Sequence, residues 1–132
     1  MEWRDEYCTG VGDVDRQHRY FFSLISSMDE ESVARWSRDR LRGFLAEVQR
    51  FAHYHFRSEE FLMDVYGFDA RDQHRAAHEQ ISARVAEFVA DADKGTLQPA
   101  VLRQFLYEWF QDHTTVADRP LTEHVLRKQR AG

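Results

Sequence analysis

Between positions 55 and 78 the chain sets a histidine and a carboxylate four residues apart, His55 and Glu59, and then two histidines four apart, His74 and His78. Residues spaced by four share one face of an α-helix, so each pair can aim two ligand atoms at a single point. Imidazole nitrogen and carboxylate oxygen together suit a first-row metal ion. A single pair of this kind arises by chance in many helical proteins, so its meaning depends on whether it faces the core.

The elements that carry these residues follow from apolar periodicity. Residues 1–14, with Trp3, Tyr7, Cys8, Gly10 and Gly12, lack a clear period and are expected to form an extended arm packed across a helical body. Asp13 or Asp15 can cap a first helix whose stripe is His18, Phe21, Phe22, Ile25 and Met28. Asp29 to Ser32 marks a turn. A second helix is expected from the Ser37 region to about Tyr66, with Leu41, Phe44, Leu45, Val48, Phe51 or Ala52, His55, Glu59 and Leu62 along one row and Gly67 as its stop. The phenylalanines from Phe44 to Phe61 are expected in the core. Asp69 or Asp72 can cap a third helix to about Asp93, with His74, Ala77, His78, Ile81, Val85 and Phe88 inward. Lys94-Gly95 ends it. Thr96 and Pro99 open a fourth helix, whose stripe is Leu102, Phe105, Leu106, Trp109 and His113. After Asp118-Arg119-Pro120 a short terminal helix can run from Leu121 to Arg130. The expected architecture is an all-α, antiparallel up-down four-helix bundle over residues 15–117, with an N-terminal arm and a C-terminal segment at 118–132, in one domain of 132 residues.

On this reading His18, His55, Glu59, His74, His78 and His113 lie on the inner stripes of four helices. A buried imidazole or carboxylate without a partner costs several kcal/mol, and a domain stable by roughly 5 to 15 kcal/mol cannot carry six of them unsatisfied. Imidazoles cannot neutralise one another, whereas a metal ion takes neutral imidazole and carboxylate together. Asp118 is the natural seventh member. Five residues advance a regular helix by about 500 degrees, so Asp118 falls off the stripe of His113 and the helix should end or distort near Thr114 to Val116. Seven nitrogen and oxygen ligands exceed the needs of one tetrahedral ion, which makes two ions the economical arrangement. The donor set suits iron while leaving zinc, manganese and cobalt open. No histidine has a glutamate three residues before it, which argues against a carboxylate-rich ferritin-like site.

Composition narrows the remaining possibilities. A net charge of -5 and a pI near 5.8 give no basic footprint for nucleic acid. There is no basic apolar leader and no apolar run of membrane-spanning length, so the expectation is a cytoplasmic protein without membrane contact. Cys8 is the only cysteine, which excludes an intrachain disulfide and thiolate metal clusters.

The ordered set Asp15-x-Gln17-His18, His55-Phe56-x-x-Glu59-Glu60, His74-x-x-x-His78 and Trp109-x-x-x-His113-x-x-x-x-Asp118 resembles the hemerythrins, in particular their short bacterial form, over nearly the whole chain. The resemblance implies a non-haem di-iron centre. One iron would be held by His74, His78 and His113 and the other by His18 and His55, with Glu59, Asp118 and an oxo or hydroxo group bridging. It also implies O2 as the ligand of the two-histidine iron, inside a dry pocket walled by Phe56, Trp109, Phe110 and Thr114. Two walls depart from the family pattern, which usually has leucine at position 110 and isoleucine at position 114. A larger ring beside a hydroxyl would narrow the pocket yet offer a hydrogen bond or water, favouring autoxidation.

Plainer roles suit several neighbours. His53 faces away from His55, and His124 lies beyond the helix break, so both are expected at the surface or in local hydrogen bonds. Glu60 is either a support for the site or a solvated carboxylate. Cys8 is expected to pack on the bundle, and Arg127 to Arg130 to form a solvated tail. The functional expectation is reversible O2 binding for carriage, storage or scavenging. The alternatives are an O2 or redox sensor acting through an unidentified protein partner, and a di-iron oxidase or peroxide or nitric oxide reductase.

Overall fold

In the computed structural model, which describes residues 2–131, the chain is all-helical, with no strand among the described residues. After a 3-10 turn at Asp5–Tyr7 come α1 (Gly12–Ser26), a short α2 (Glu30–Val33), α3 (Arg38–Tyr66), α4 (Arg71–Lys94) and α5 (Pro99–Asp112). A π-helical turn at His113–Ala117 then leads into α6 (Arg119–Ala131). The long helices α1, α3, α4 and α5 make the antiparallel bundle, with α3 along α4 and α1 against both α3 and α5. Their apolar stripes meet in one core that includes Phe21, Ile25, Leu45, Val48, Ile81, Phe88, Leu102 and Leu106.

Local chemistry accounts for the ends of the helices. Ser37 caps α3 by accepting a hydrogen bond from the Arg40 N–H. Gly67 and Gly95 close α3 and α4 at φ of 67° and 74°, where a β-carbon would be strained. Pro99 opens α5, where its missing N–H removes no helical bond.

Other expectations are corrected. Neither Asp13 nor Asp15 caps α1. The Asp15 carboxylate instead accepts from the Thr9 N–H, the Thr9 hydroxyl and the Gly10 N–H, tying down the arm. Ala70 precedes α4 without a side-chain cap, and Asp72 lies inside the first turn. The acidic stretch after Asp29 forms the one-turn α2. Phe61 is 66% exposed, because it lies well round α3 from the row formed by Phe44, Phe51 and Phe56.

The arm is anchored more firmly than an extended segment would be. Tyr7 is fully buried, its ring 5.0 Å from that of Phe110 and 5.3 Å from that of Trp3. Arg119 donates to the carbonyls of Cys8 and Glu6, fastening the arm to the start of α6. Tyr7→Ala should lower stability by about 3–5 kcal/mol, as for other large buried rings, and urea denaturation would measure it. A loss below about 1 kcal/mol would mean that the arm is not part of the folded core.

Candidate metal centre

At one end of the core the apolar rows give way to polar side chains. His18 comes from α1, His55 and Glu59 from consecutive turns of α3, His113 from the first position of the π turn, and Asp118 from just beyond it. All five are buried. The π turn is what brings the last two together: the Asp118 N–H donates to the His113 carbonyl at 2.9 Å, five residues back. This wider turn returns Asp118 to the His113 side, so the expected distortion occurs without ending the helix.

Ligand atoms of His18, His55, His113 and Asp118 all lie within 4.8 Å of one another. Asp118 Oδ2 is 2.8 Å from His18 Nε2 and 2.9 Å from His113 Nε2. Glu59 Oε1 lies 3.2 Å from His55 Nε2, 3.0 Å from His74 Nε2 and 3.7 Å from His113 Nε2. The Nε2 atoms of His55 and His113 approach to 2.7 Å. Yet His18 Nε2, Asp118 Oδ2 and Glu59 Oε2 are buried without a hydrogen bond. The His18–Asp118 contact is thus close enough for a hydrogen bond but misdirected for one. Buried donor atoms that converge without pairing fit a common cation.

Electrostatics agree with that fit. Burial, and then the neighbouring His113, hold His55 well below the usual histidine range, which keeps the neutral imidazole that a metal requires. Burial also pushes the Glu59 carboxyl well above its ordinary value, reinforced by Asp118. For Asp118 burial acts in the same upward sense. Electrostatic attraction to His113 and the polar contacts of Glu59, His113 and His18 outweigh it, and the carboxyl is held well below its ordinary range.

A surrounding layer orients the clustered side chains. Gln17 Oε1 accepts from His55 Nδ1 at 2.7 Å, while its amide nitrogen donates to Ser58 Oγ at 2.9 Å. The His55 tautomer that donates from Nδ1 turns the Nε2 lone pair inward. Gln17 stood in the sequence motif beside His18, but nothing there assigned it this role, because its partner is on another helix. Glu60, for which two roles were open, approaches His74 Nδ1 at 3.5 Å.

His74 and His78 on α4 are less deeply placed than His18, His55 and His113, both being half-buried. His74 joins the cluster through Glu59. His78 does not: its ring stacks on Phe56 at 4.5 Å between centroids and lies 6.1 Å from the ring of exposed His53. Burial, and then His53, lower its pKa. His124 Nε2 bonds the Tyr66 carbonyl, in keeping with a local role.

Three of the four residues expected as pocket walls meet the rings of the cluster. Phe56 touches the rings of His55, His74 and His113, Trp109 stacks on His113 at 4.5 Å, and Phe110 meets His18 edge-on at 6.2 Å. Thr114 is fully buried, and its hydroxyl donates to the Phe110 carbonyl at 2.9 Å. A cavity of about 400 Å³, lined among others by Met63, Phe68 and Leu121, reaches His74, His113 and Asp118.

Comparison with known proteins agrees with this arrangement. A bacteriohemerythrin of Stenotrophomonas maltophilia is 28% identical over 127 residues, covering 95% of this chain and 81% of its own. One from Clostridium acetobutylicum is 24% identical over 125 residues, covering 89% of this chain and 95% of its own. A hemerythrin-like protein of Naegleria gruberi is 28% identical over 119 residues, covering 89% and 87%. The hemerythrin HHE cation binding domain matches residues 9–123, the span from the start of the arm's anchor to α6 that contains every member of the cluster. With that span matched and a buried His and Asp cluster suited to a cation at its centre, the chain belongs to the hemerythrin family.

Proposed function

We propose that the chain holds two iron ions and binds O2 reversibly, for carriage, storage or scavenging. The observation that carries this reading is the inward convergence of His18, His55, His113 and Asp118, with buried ligand atoms that do not satisfy one another. In this reading His74, His78 and His113 would hold one ion and His18 and His55 the other, and Glu59 and Asp118 would supply the carboxylates of the site. When bound, the iron pair supplies the electrons and the open ligand position that O2 requires.

The chain's own residues orient those ligands and limit water. Gln17 sets the His55 tautomer, and Phe56, Trp109 and Phe110 enclose the cluster in rings. Thr114 adds a hydroxyl to that wall, with its proton directed to the Phe110 carbonyl and its oxygen still able to accept. Thr114→Ile removes this acceptor and should slow autoxidation severalfold. Decay of the O2-bound spectrum in air would measure the effect, and equal rates in the two proteins would count against Thr114 as a wall of the O2 pocket.

The test of the main reading is an ultraviolet and visible spectrum with parallel metal analysis. Deoxygenated ferrous protein carrying two irons per chain should gain a visible charge-transfer band in air and lose it when O2 is removed. A band that decays without reversing would move the assignment to a redox enzyme or sensor, and absence of iron would overturn the metal assignment. One observation favours the enzyme as a second reading: the cavity of about 400 Å³ beside His74 and His113 falls in the range that accommodates small organic molecules. Steady-state consumption of O2 or peroxide with a reductant would distinguish it from stoichiometric binding.

A further inference from the structure

His78 is the expected ligand that stands apart from the cluster, and its surroundings have donors of their own. On α3, Gln49 and His53 are one turn apart, and on α4 so are His78 and Ser82. The two pairs line one small surface cavity of about 180 Å³, floored by Ala52, Ile81 and Val85. The rings of His53 and His78 lie 6.1 Å apart across it, with His53 exposed and His78 half-buried. Two imidazoles with an amide and a hydroxyl make a nitrogen and oxygen donor set suited to a divalent first-row cation. The inner side of His78 stacks on Phe56, whose ring also touches those of His74 and His113. One side chain therefore stands between a solvent-facing histidine and the buried centre.

We propose that His53 and His78 form a capture site for incoming ferrous iron, from which His78 carries the ion inward to the His74 and His113 side of the centre. A change of the His78 side-chain rotamer exchanges the His53 neighbour for the inner residues on the far side of Phe56. The two positions account for a histidine with ligand spacing relative to His74 that lies outside the cluster. His53 is then a transient ligand that speeds loading and has no part in the loaded centre. This inference rests on the iron-centre reading above.

The test is anaerobic uptake of ferrous iron alone by the metal-free protein, with rapid chelator quenching for the rate and metal analysis for the endpoint. His53→Ala should slow uptake by at least about fivefold, a conservative share of the effect usual for residues that support a metal ligand, and leave the final iron content unchanged. Tyr54→Ala, an exposed neighbour on the same helix, should load like the wild type. Equal rates in His53→Ala and the wild type would overturn the capture site. So would a lowered endpoint, which would make His53 a resident ligand, or the same slowing in Tyr54→Ala. A wild type that takes up no iron would overturn the iron-centre reading itself, a separate failure from that of the capture site.

Discussion

Replacement of His113 by alanine should remove metal binding and destabilise the metal-free protein together. His113 occupies the middle of the cluster: its Nε2 is 2.9 Å from Asp118 Oδ2, 2.7 Å from His55 Nε2 and 3.7 Å from Glu59 Oε1. Loss of a supporting residue around a metal typically weakens affinity by about 10- to 100-fold, and loss of a central ligand should reach at least the upper end. The metal-free protein should also lose about 3–5 kcal/mol, because Asp118 is 3% exposed and His113 is the first of the partners that hold its carboxyl low. Trp109, stacked on the imidazole at 4.5 Å, would lose a packing surface as well. Iron content and urea denaturation would measure the two effects. His124→Ala should retain full iron content, since His124 bonds the Tyr66 carbonyl away from the centre. Full iron retention by His113→Ala would exclude it as a ligand.

The centrality of His113 could be partly anticipated from the sequence. Its place at the end of the Leu102, Leu106 and Trp109 row put it at the inner face, and the misfit between regular helical pitch and the five-residue step to Asp118 required a distortion. What the distortion would be was not legible. A π turn depends on a backbone bond between Asp118 and His113 that no local propensity encodes, and Thr114 reinforces that region by donating back to the Phe110 carbonyl.

Helix caps were less legible, for a related reason. Asp15 has the composition of a cap but is drawn to Thr9 and Gly10 by the packing of the arm. Ser37, at the expected start of α3, caps that helix by accepting from the Arg40 N–H, a role the sequence reading did not assign. The role of Gln17 required the α1–α3 pairing to be known, since its partners His55 and Ser58 are distant in sequence. Phe61 shows the limit of residue type alone: an aromatic residue in a helix rich in phenylalanine still faces solvent when its angular position is wrong.

Glu59→Gln should move the stabilities of the metal-free and metal-loaded proteins in opposite directions. In the metal-free protein Glu59 is fully buried, and its carboxyl is held well above the ordinary range by burial and by Asp118. Between its ordinary value of 4.5 and the raised one, the folded state binds a proton that the unfolded state releases. Its contribution is therefore fully present below 4.5 and is lost as pH rises through the raised value. Glutamine reproduces the neutral form at every pH. Metal-free Glu59→Gln should match the wild type at about pH 4 and exceed it at about pH 8, the gap growing from 4.5 up to the raised value and then holding.

Metal loading reverses the order. A cation needs the carboxylate, so uptake must displace the Glu59 proton, and wild-type affinity should rise with pH until the raised pKa is passed. Ligand present at 1,000 times its dissociation constant stabilises the folded state by about 4 kcal/mol, and the variant, without the shared carboxylate, forgoes most of this. Denaturation of both proteins with and without ferrous iron, at the two pH values and under anaerobic conditions, would measure the crossing. Proton release on loading should fall by one per chain in the variant, measured in weakly buffered solution at a pH below the raised value. A metal-free variant less stable than the wild type at the higher pH would show that Glu59 carries a structural hydrogen bond that an amide cannot replace. Undiminished iron affinity would remove Glu59 from the ligand set.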